Sequence, residues 1–503
     1  MKRNIPSTIA TQHPDNAGSP YWDKGDGYVS VAEEPEECLA CFRDLDVQEF
    51  MWDWEGKYAD EAVIEKLLSR HLAYFTKHLM GRDKFLTLRL PNVWKEKGYS
   101  LIRALMVILT SEDVARDLKL KTRPLFEVIL PMTERAEQLM YIQKSFQKLA
   151  HFKCKVFDHR TGTNTDHVEI IPLIEGVKDQ IHVKALLSRY LALHKKSFHR
   201  KPGSLRPFLG RSDPALLDGH VASVLANKVA LSEIYAFGKA NGISVYPIIG
   251  AGSLIFRGGL SPARVRRFVA EYRGVRTVTI QSAFRYDYPL REVKTAIRYL
   301  HRYVPKSRVQ SIDKEDYPSV CKILEIFSRT YRSTVSELIK DMEPLFGAVP
   351  QRRERRQHTG LMAYQRHIGK APLPRTITFA AAWYSLGIPP EFIGLGRALD
   401  TLNAREVKLL KKYYVHFKQD ICEAGRYINR ENVRILAKRD RAWRLIEEDI
   451  ERAEKFLGVR FGPKTKMELL HARLASQLLK HRTNKKEMAR LITETGMLRK
   501  SLG

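Results

Sequence analysis

Leu125-Phe126-Glu127-Val128-Ile129-Leu130 is a short apolar run rich in β-formers. Thr133 to Leu149 then carries apolar residues at helical spacing, and a second apolar run, Val168 to Leu173, follows. Strand, long helix and strand make a β/α unit, because two parallel strands can be joined only by a crossover of about that length. The alternation continues on both sides. Before it come Ser7 to Thr11, Glu49 to Trp54 and Phe85 to Leu90; after it come Leu205 to Leu209, Ser244 to Ile249 and Thr277 to Ile280. Eight such runs with helices between them, the helical segment Asp60 to Met80 among these, predict a (β/α)8 barrel over residues 1–288.

From Pro289 onward the pattern is almost wholly helical, with Val320 to Leu345, Ala404 to His416, Arg434 to Leu457 and Lys466 to His481 as the clearest segments. Residues 289–503 are therefore expected to form a large all-helical extension packed on the barrel, completing one structural unit. Barrel enzymes work at the C-terminal ends of their strands. Polar residues stand there in this sequence: His13 after the first run, Glu55 after the second and Arg89 closing the third. Glu127 lies inside the fourth run. Glu175 follows the fifth, Arg211 and Asp213 the sixth, the loop Gly250 to Gly259 the seventh, and Gln281 with Arg285 the eighth.

The bulk properties fit this reading and narrow the function. With 44% hydrophobic and 28% charged residues among 503, the chain is composed like a globular protein. The basic N-terminus lacks the apolar segment of a secretory signal, and no stretch approaches a membrane span, so a cytoplasmic protein is expected. Five cysteines are too few and scattered for a disulfide framework; Cys38 and Cys41 form a CxxC without a second ligand pair and read as reduced, structural residues. The formal charge of +29 favours anionic partners. The basic residues concentrate at His194 to Lys201, Arg352 to Arg356 and Lys408 to Lys412, but otherwise spread along the chain, which suits a solvated basic surface better than a nucleic-acid stripe.

Glu127 and Asp213 would face one cavity in this barrel and could together hold a hard divalent cation, since magnesium takes one or two protein carboxylates and completes its shell with water and phosphate. Asp213 equally suits the N-cap of a helix starting near Pro214, and spacing alone favours the cap. Gly250-Ala251-Gly252-Ser253-Leu254-Ile255-Phe256-Arg257-Gly258-Gly259 can be a tight turn or an anion loop. It completes neither a dinucleotide fingerprint nor a Walker loop. Arg257 and Arg285 tilt it towards anion binding. His13 can be a core histidine or a site residue at a strand end.

Taken together these segments resemble the archaeal-type phosphoenolpyruvate carboxylases from end to end. Thr11-Gln12-His13-Pro14-Asp15-Asn16 is similar to the histidine motif that reads TAHPTE in the longer enzymes of that family. Leu125-Phe126-Glu127 resembles their LFE metal segment, and Gly210-Arg211-Ser212-Asp213 their GYSD segment. Gly252-Ser253-Leu254 through Arg257-Gly258-Gly259 looks like the glycine-rich loop. Pro374-Arg375-Thr376-Ile377 and Pro389 to Gly394 resemble LRAIPW and LPAWLG, and Arg352 falls at an SRPAKR-like segment. Two departures stand out: Leu216 and Leu217 occupy the place of a lysine, and the glycine-rich loop lacks its first arginine.

The resemblance implies a carboxylase that joins bicarbonate to phosphoenolpyruvate through carboxyphosphate and an enolate, releasing oxaloacetate and phosphate. It implies His13, Arg257 and Arg375 as catalytic residues. Arg89, Arg211, Gly252, Ser253, Gly258, Arg285 and Arg352 would bind substrate, and Glu127 with Asp213 would hold Mg2+, with Mn2+ as the alternative. Lys438, Arg473 and Gly503 would form an effector site, and the assembly would be a homotetramer. A rival reading is another metal-dependent barrel lyase of enolpyruvate chemistry, which would not need bicarbonate. A nucleic-acid-binding protein is a more distant rival, because it leaves the carboxylates and the glycine-rich loop without a use.

Overall fold

A computed structural model describes residues 4–23, 28–55, 61–95, 99–157, 166–353, 366–368 and 371–503. Eight parallel strands close into a barrel: β1 (Thr8–Thr11), β2 (Glu49–Asp53), β3 (Phe85–Arg89), β4 (Glu127–Leu130), β5 (Glu169–Ile174), β6 (Phe208–Gly210), β7 (Ile248–Gly250) and β8 (Thr277–Ile280). They follow one another around the ring in chain order. Pairing of Thr8 with Val278 closes it.

The eight-run reading holds, with one informative difference. The sixth and seventh runs are each divided: Ser204–Leu205 and Ser244–Val245 pair with each other below the barrel, and the barrel strands begin only at Phe208 and Ile248. Pro207 and Pro247 stand at the divisions, and neither has an N–H to give to a ladder.

Strand periodicity sorts the side chains between two cores. In β4, Ile129 points inward while Val128 and Leu130 face the surrounding helices; in β5, Ile171 and Leu173 point inward while Ile170 and Ile174 face out. The inward residues Ile9, Met51, Ile129, Ile171, Leu173, Phe208 and Ile248 form a dry plug. It separates the two ends of the barrel, so polar groups at one end cannot share chemistry with those at the other.

The helix Leu290–Tyr303 buries Val293, Ala296, Ile297 and Leu300 in the barrel's outer core, so the eighth β/α unit runs past residue 288. Beyond it the 30-residue helix Tyr317–Phe346 packs on the barrel helix His220–Asn241. Capping boxes start two of the later helices, Asn403 with Glu406 and Thr465 with Glu468. The helical extension shares a second core with barrel residues such as Ala215, Val221, Leu225 and Phe256, and the helix Thr376–Ser385 joins it with its N-terminus toward the barrel mouth. Among the described residues no helix is long and apolar enough to cross a membrane.

Candidate active site

A cavity of about 610 Å³ opens at the C-terminal ends of the strands. The barrel contributes His13 after β1, Glu55 after β2, Arg89 closing β3, Glu175 after β5, Arg211 and Asp213 after β6, Arg257 beyond β7 and Gln281 after β8. The extension supplies the other wall with Arg352, Arg353, Arg366, Arg375 and Thr376. Such a mixture of convergent charges in a concave site is where binding or catalysis is expected.

His13 is held by a 2.9 Å contact between its Nδ1 and Thr11 Oγ1. Its imidazole is pushed down to about 3, first by burial and then by the charge of Arg89. It is therefore neutral at physiological pH. Arg89 is fixed on both sides, donating from Nε to Asp53 Oδ1 at 2.9 Å and lying 2.6 Å from Glu55 through Nη1. Asp15, two residues beyond His13, pairs with Arg257 at 2.9 Å, and Arg257 also donates to Gln281 at 2.7 Å and to the carbonyl of Gly503 at 2.7 Å. The histidine segment, the glycine-rich loop and the end of the chain are thereby tied together.

Glu175 and Asp213 lie against each other and share a hydrogen bond. Burial, followed by the negative charges of Asp213 and Glu55, pushes the Glu175 carboxyl up to about 8. Burial would raise Asp213 as well, but Arg366, Thr376 and the hydrogen bond from Glu175 outweigh it and hold Asp213 below its ordinary value. Two carboxyl groups that keep a proton between them are short of positive charge. Hard oxygen donors in this number suit a magnesium-like ion, which takes one or two carboxylates and leaves places for water and phosphate. Among the described residues no cluster of three or more ligands competes for that role.

Several expectations need correction. Glu127 is the first residue of β4 and sits at the opposite end of the barrel, where its carboxylate meets Arg206 at 2.5 Å; the apolar plug lies between it and Asp213. Asp213 does not cap its helix: Arg211 is the N-cap, and the Asp213 carboxylate goes to Thr376 and Arg366. Gly252, Ser253 and Gly258 stand behind Arg257 rather than on the cavity wall. A Cβ on Gly252 would lie 2.7 Å from the Arg257 guanidinium, so this glycine makes room for the arginine. Arg285 is also behind the wall, donating to the carbonyls of Thr11 and Ile280 and to Glu37. Arg211 reaches the wall, but its guanidinium turns away into a buried network.

The structure brings together His13, Arg89, Asp213, Arg257, Arg352 and Arg375. The expected effector residues are not gathered in this way: Lys438 and Arg473 are exposed on the extension, whereas Gly503 is buried against Arg257. In the Arg352 to Arg356 cluster, Arg352 and Arg353 line the cavity and the rest lies outside the described residues. Glu175 is the main residue that letter matching misses. Its place directly after β5 is the signal that finds it. Arg366 carries no comparable signal, because it reaches Asp213 from a short hairpin, Arg366–Ile368 with Ala371–Leu373, in the extension.

A closed (β/α)8 barrel with a carboxylate pair and several arginines around one mouth defines an enzyme for small, multiply charged anions. The chain belongs to the phosphoenolpyruvate carboxylase family, whose profile matches residues 5–503. It is 43% identical to the phosphoenolpyruvate carboxylase of Oenococcus oeni, over 100% of this chain and 99% of that one. The enzyme of Leuconostoc mesenteroides is 42% identical over 100% and 99%. That of Metallosphaera sedula is 36% identical over the whole of both chains.

Proposed function

We propose that this cavity carboxylates phosphoenolpyruvate with bicarbonate, and that His13, Arg375, Arg257, Glu175 and Asp213 are the groups that carry the reaction. The single observation behind this assignment is the juxtaposition of a neutral histidine and a charge-deficient carboxylate pair within one arginine-walled cavity. Glu175 and Asp213 would hold Mg2+, with Mn2+ the alternative, and the ion would supply Lewis-acid stabilisation of charge on phosphate and enolate oxygens. Among the described residues the Arg375 guanidinium has no partner, which leaves its planar donor fork for a substrate carboxylate or phosphate. Arg257 is fixed in advance by Asp15 and Gln281, so it stabilises developing negative charge without having to reorganise.

Bicarbonate oxygen attacks phosphorus, the bond from phosphorus to the enol oxygen breaks, and carboxyphosphate and the pyruvate enolate result. His13 then accepts the carboxyl proton as carboxyphosphate separates into carbon dioxide and phosphate, and the enolate methylene carbon attacks the carbon dioxide to give oxaloacetate. Arg89, the cation that depresses His13 most, is one of the charges that the substrate anions offset, so binding makes His13 more basic when it is needed.

The assembly we assign is a homotetramer. Large apolar side chains exposed on neighbouring barrel helices support self-association, among them Ile102 at 57%, Phe152 at 64% and Val156 at 53%. Five cysteines, none in a disulfide, support a reducing, cytoplasmic setting. The decisive assay supplies phosphoenolpyruvate, magnesium and bicarbonate and couples oxaloacetate to its reduction to malate. The wild type should be bicarbonate-dependent, and His13→Asn should still consume phosphoenolpyruvate but release pyruvate. Undiminished oxaloacetate from His13→Asn would remove His13 from the mechanism.

A further inference from the structure

The loop that carries Arg257 has little regular structure of its own, a three-residue turn at Ile255–Arg257. Backbone hydrogen bonds close it on itself, from Gly252 N–H to the Arg257 carbonyl at 2.8 Å and from Leu260 N–H to the Gly252 carbonyl at 3.0 Å, and side chains that grip other carbonyls tie it to its surroundings. Arg211 donates from Nη1 to the carbonyl of Phe256 at 3.2 Å and to Ser223 Oγ at 2.8 Å, and from Nε to Tyr272 Oη at 3.0 Å. Arg264 donates from Nε to the carbonyl of Gly259 at 3.0 Å and also reaches the carbonyl of Ser253. These carbonyls bracket Arg257, and Arg211 stands two residues from Asp213.

Both arginines are anchored from the helical extension. A guanidinium can only donate, so the 2.8 Å contact from Arg211 Nη2 makes Nδ1 of His220 the lone-pair nitrogen. Buried beside that cation the ring stays neutral, which places its proton on Nε2, 2.7 Å from Tyr414 Oη. Tyr414 in turn donates to Asp420 Oδ2 at 2.8 Å. The chain runs in one direction with its tautomer fixed. Arg264 is anchored separately by Glu423, one turn from Asp420, and Arg267 joins the two anchors through contacts to both carboxylates.

We infer that the helix Phe417–Ala424 is a positioning element for the active site, using Asp420 and Glu423 to set, through His220, Arg211 and Arg264, where the Arg257 loop stands. The loop's own backbone bonds hold its shape, and Arg211 and Arg264 tie that shape to the extension. The inference rests on the reading of Asp213 and Arg257 as active-site groups.

The test compares His220→Leu, which fills the space without an acceptor, with His220→Asn, whose amide oxygen can take the place of Nδ1. Steady-state kinetics and melting temperature are recorded for both. His220→Leu should lower kcat by roughly 10- to 100-fold with KM for phosphoenolpyruvate within about threefold, because misplaced catalytic groups slow the chemical step while ground-state binding persists. His220→Asn should recover most of that loss, although both variants melt at similarly reduced temperatures. Tyr414→Phe, a milder change, should cut kcat by roughly fivefold on the same grounds. Equal impairment of the Asn and Leu variants, or wild-type kcat in Tyr414→Phe, overturns the inference. Asp213→Asn is assayed alongside: full activity there would sink the site assignment itself, whereas an inactive Asp213→Asn with a normal His220→Leu would sink only the positioning role.

Discussion

At the N-terminal end of the barrel Arg206 reaches Glu49 at 2.6 Å, Glu127 at 2.5 Å and Thr277 at 3.1 Å, and Thr87 bonds to Glu49. At the C-terminal end Arg89 is similarly enclosed by Asp53 and Glu55, but Glu175 and Asp213 face one another with a proton between them beside a cavity of about 610 Å³. Both ends bury arginines and carboxylates. They differ in where the charge is left to act: the lower group closes on itself, and the upper one leaves a proton-holding carboxyl and Arg375, without a partner among the described residues, exposed to space a ligand can enter. Buried charge alone therefore does not mark the site. Charge left in need of a partner beside a cavity does.

The strongest way to break this contrast is Asp213→Asn. Losing one carboxylate of the pair should lower kcat/KM for phosphoenolpyruvate by roughly 10³-fold, about 4 kcal/mol of transition-state stabilisation, with little change in melting temperature. Steady-state kinetics on the folded variant measure it. Activity within tenfold of wild type would mean that the upper carboxylates are as structural as the lower ones.

The converse change is Arg206→Met, which leaves Glu49 and Glu127 buried without their cation. The expected cost is about 3–5 kcal/mol of unfolding free energy, read by denaturant titration. The fraction that folds should keep a kcat near wild type, because the apolar plug isolates this group from the cavity. A proportionate fall in kcat would show that the two ends communicate.

The same contrast explains what could be read from the letters. The strands were legible because a period of two and the intervening helices leave a strong pattern, and strand ends then point to His13, Glu175 and Asp213 without further help. Leu125-Phe126-Glu127 misleads because a three-letter match says nothing about which end of a strand a residue occupies. The extension's contributions were legible only in part. Arg375 and Arg352 are found by likeness to family segments. Arg366 and Glu423 are not, because their partners Asp213 and Arg264 lie far off in sequence, and Asp420 is not, because the Tyr414 beside it matters only through the distant His220. Helical periodicity reports which face of a helix is buried, not which distant loop that face will hold.

A third carboxyl, Asp287, tests whether compensation by backbone donors can replace compensation by a cation. It accepts the amides of Ala17 at 2.8 Å and Gly18 at 2.6 Å, just beyond the His13 segment, yet burial still pushes its carboxyl from 3.8 up to about 7. Between those two values the folded protein keeps a proton that the unfolded chain has released. The unfolded state then binds fewer protons, so this group makes stability fall as pH rises from about 4 to about 7 and adds no further change above that. The contribution is at most about 4 kcal/mol over the interval, within the range expected from Arg206→Met. Glu175, Glu391 and Asp420 are raised as well and slope the same way, so the informative quantity is the difference between proteins. Asp287→Asn should be offset in stability at every pH, because its amide NH2 opposes a backbone N–H, but its loss between pH 4 and pH 7 should be shallower than that of wild type. Urea titrations at several pH values measure both slopes. Identical slopes would mean that two backbone amides neutralise a buried carboxylate as well as Arg206 does, and that the lower end of the barrel did not need its cation.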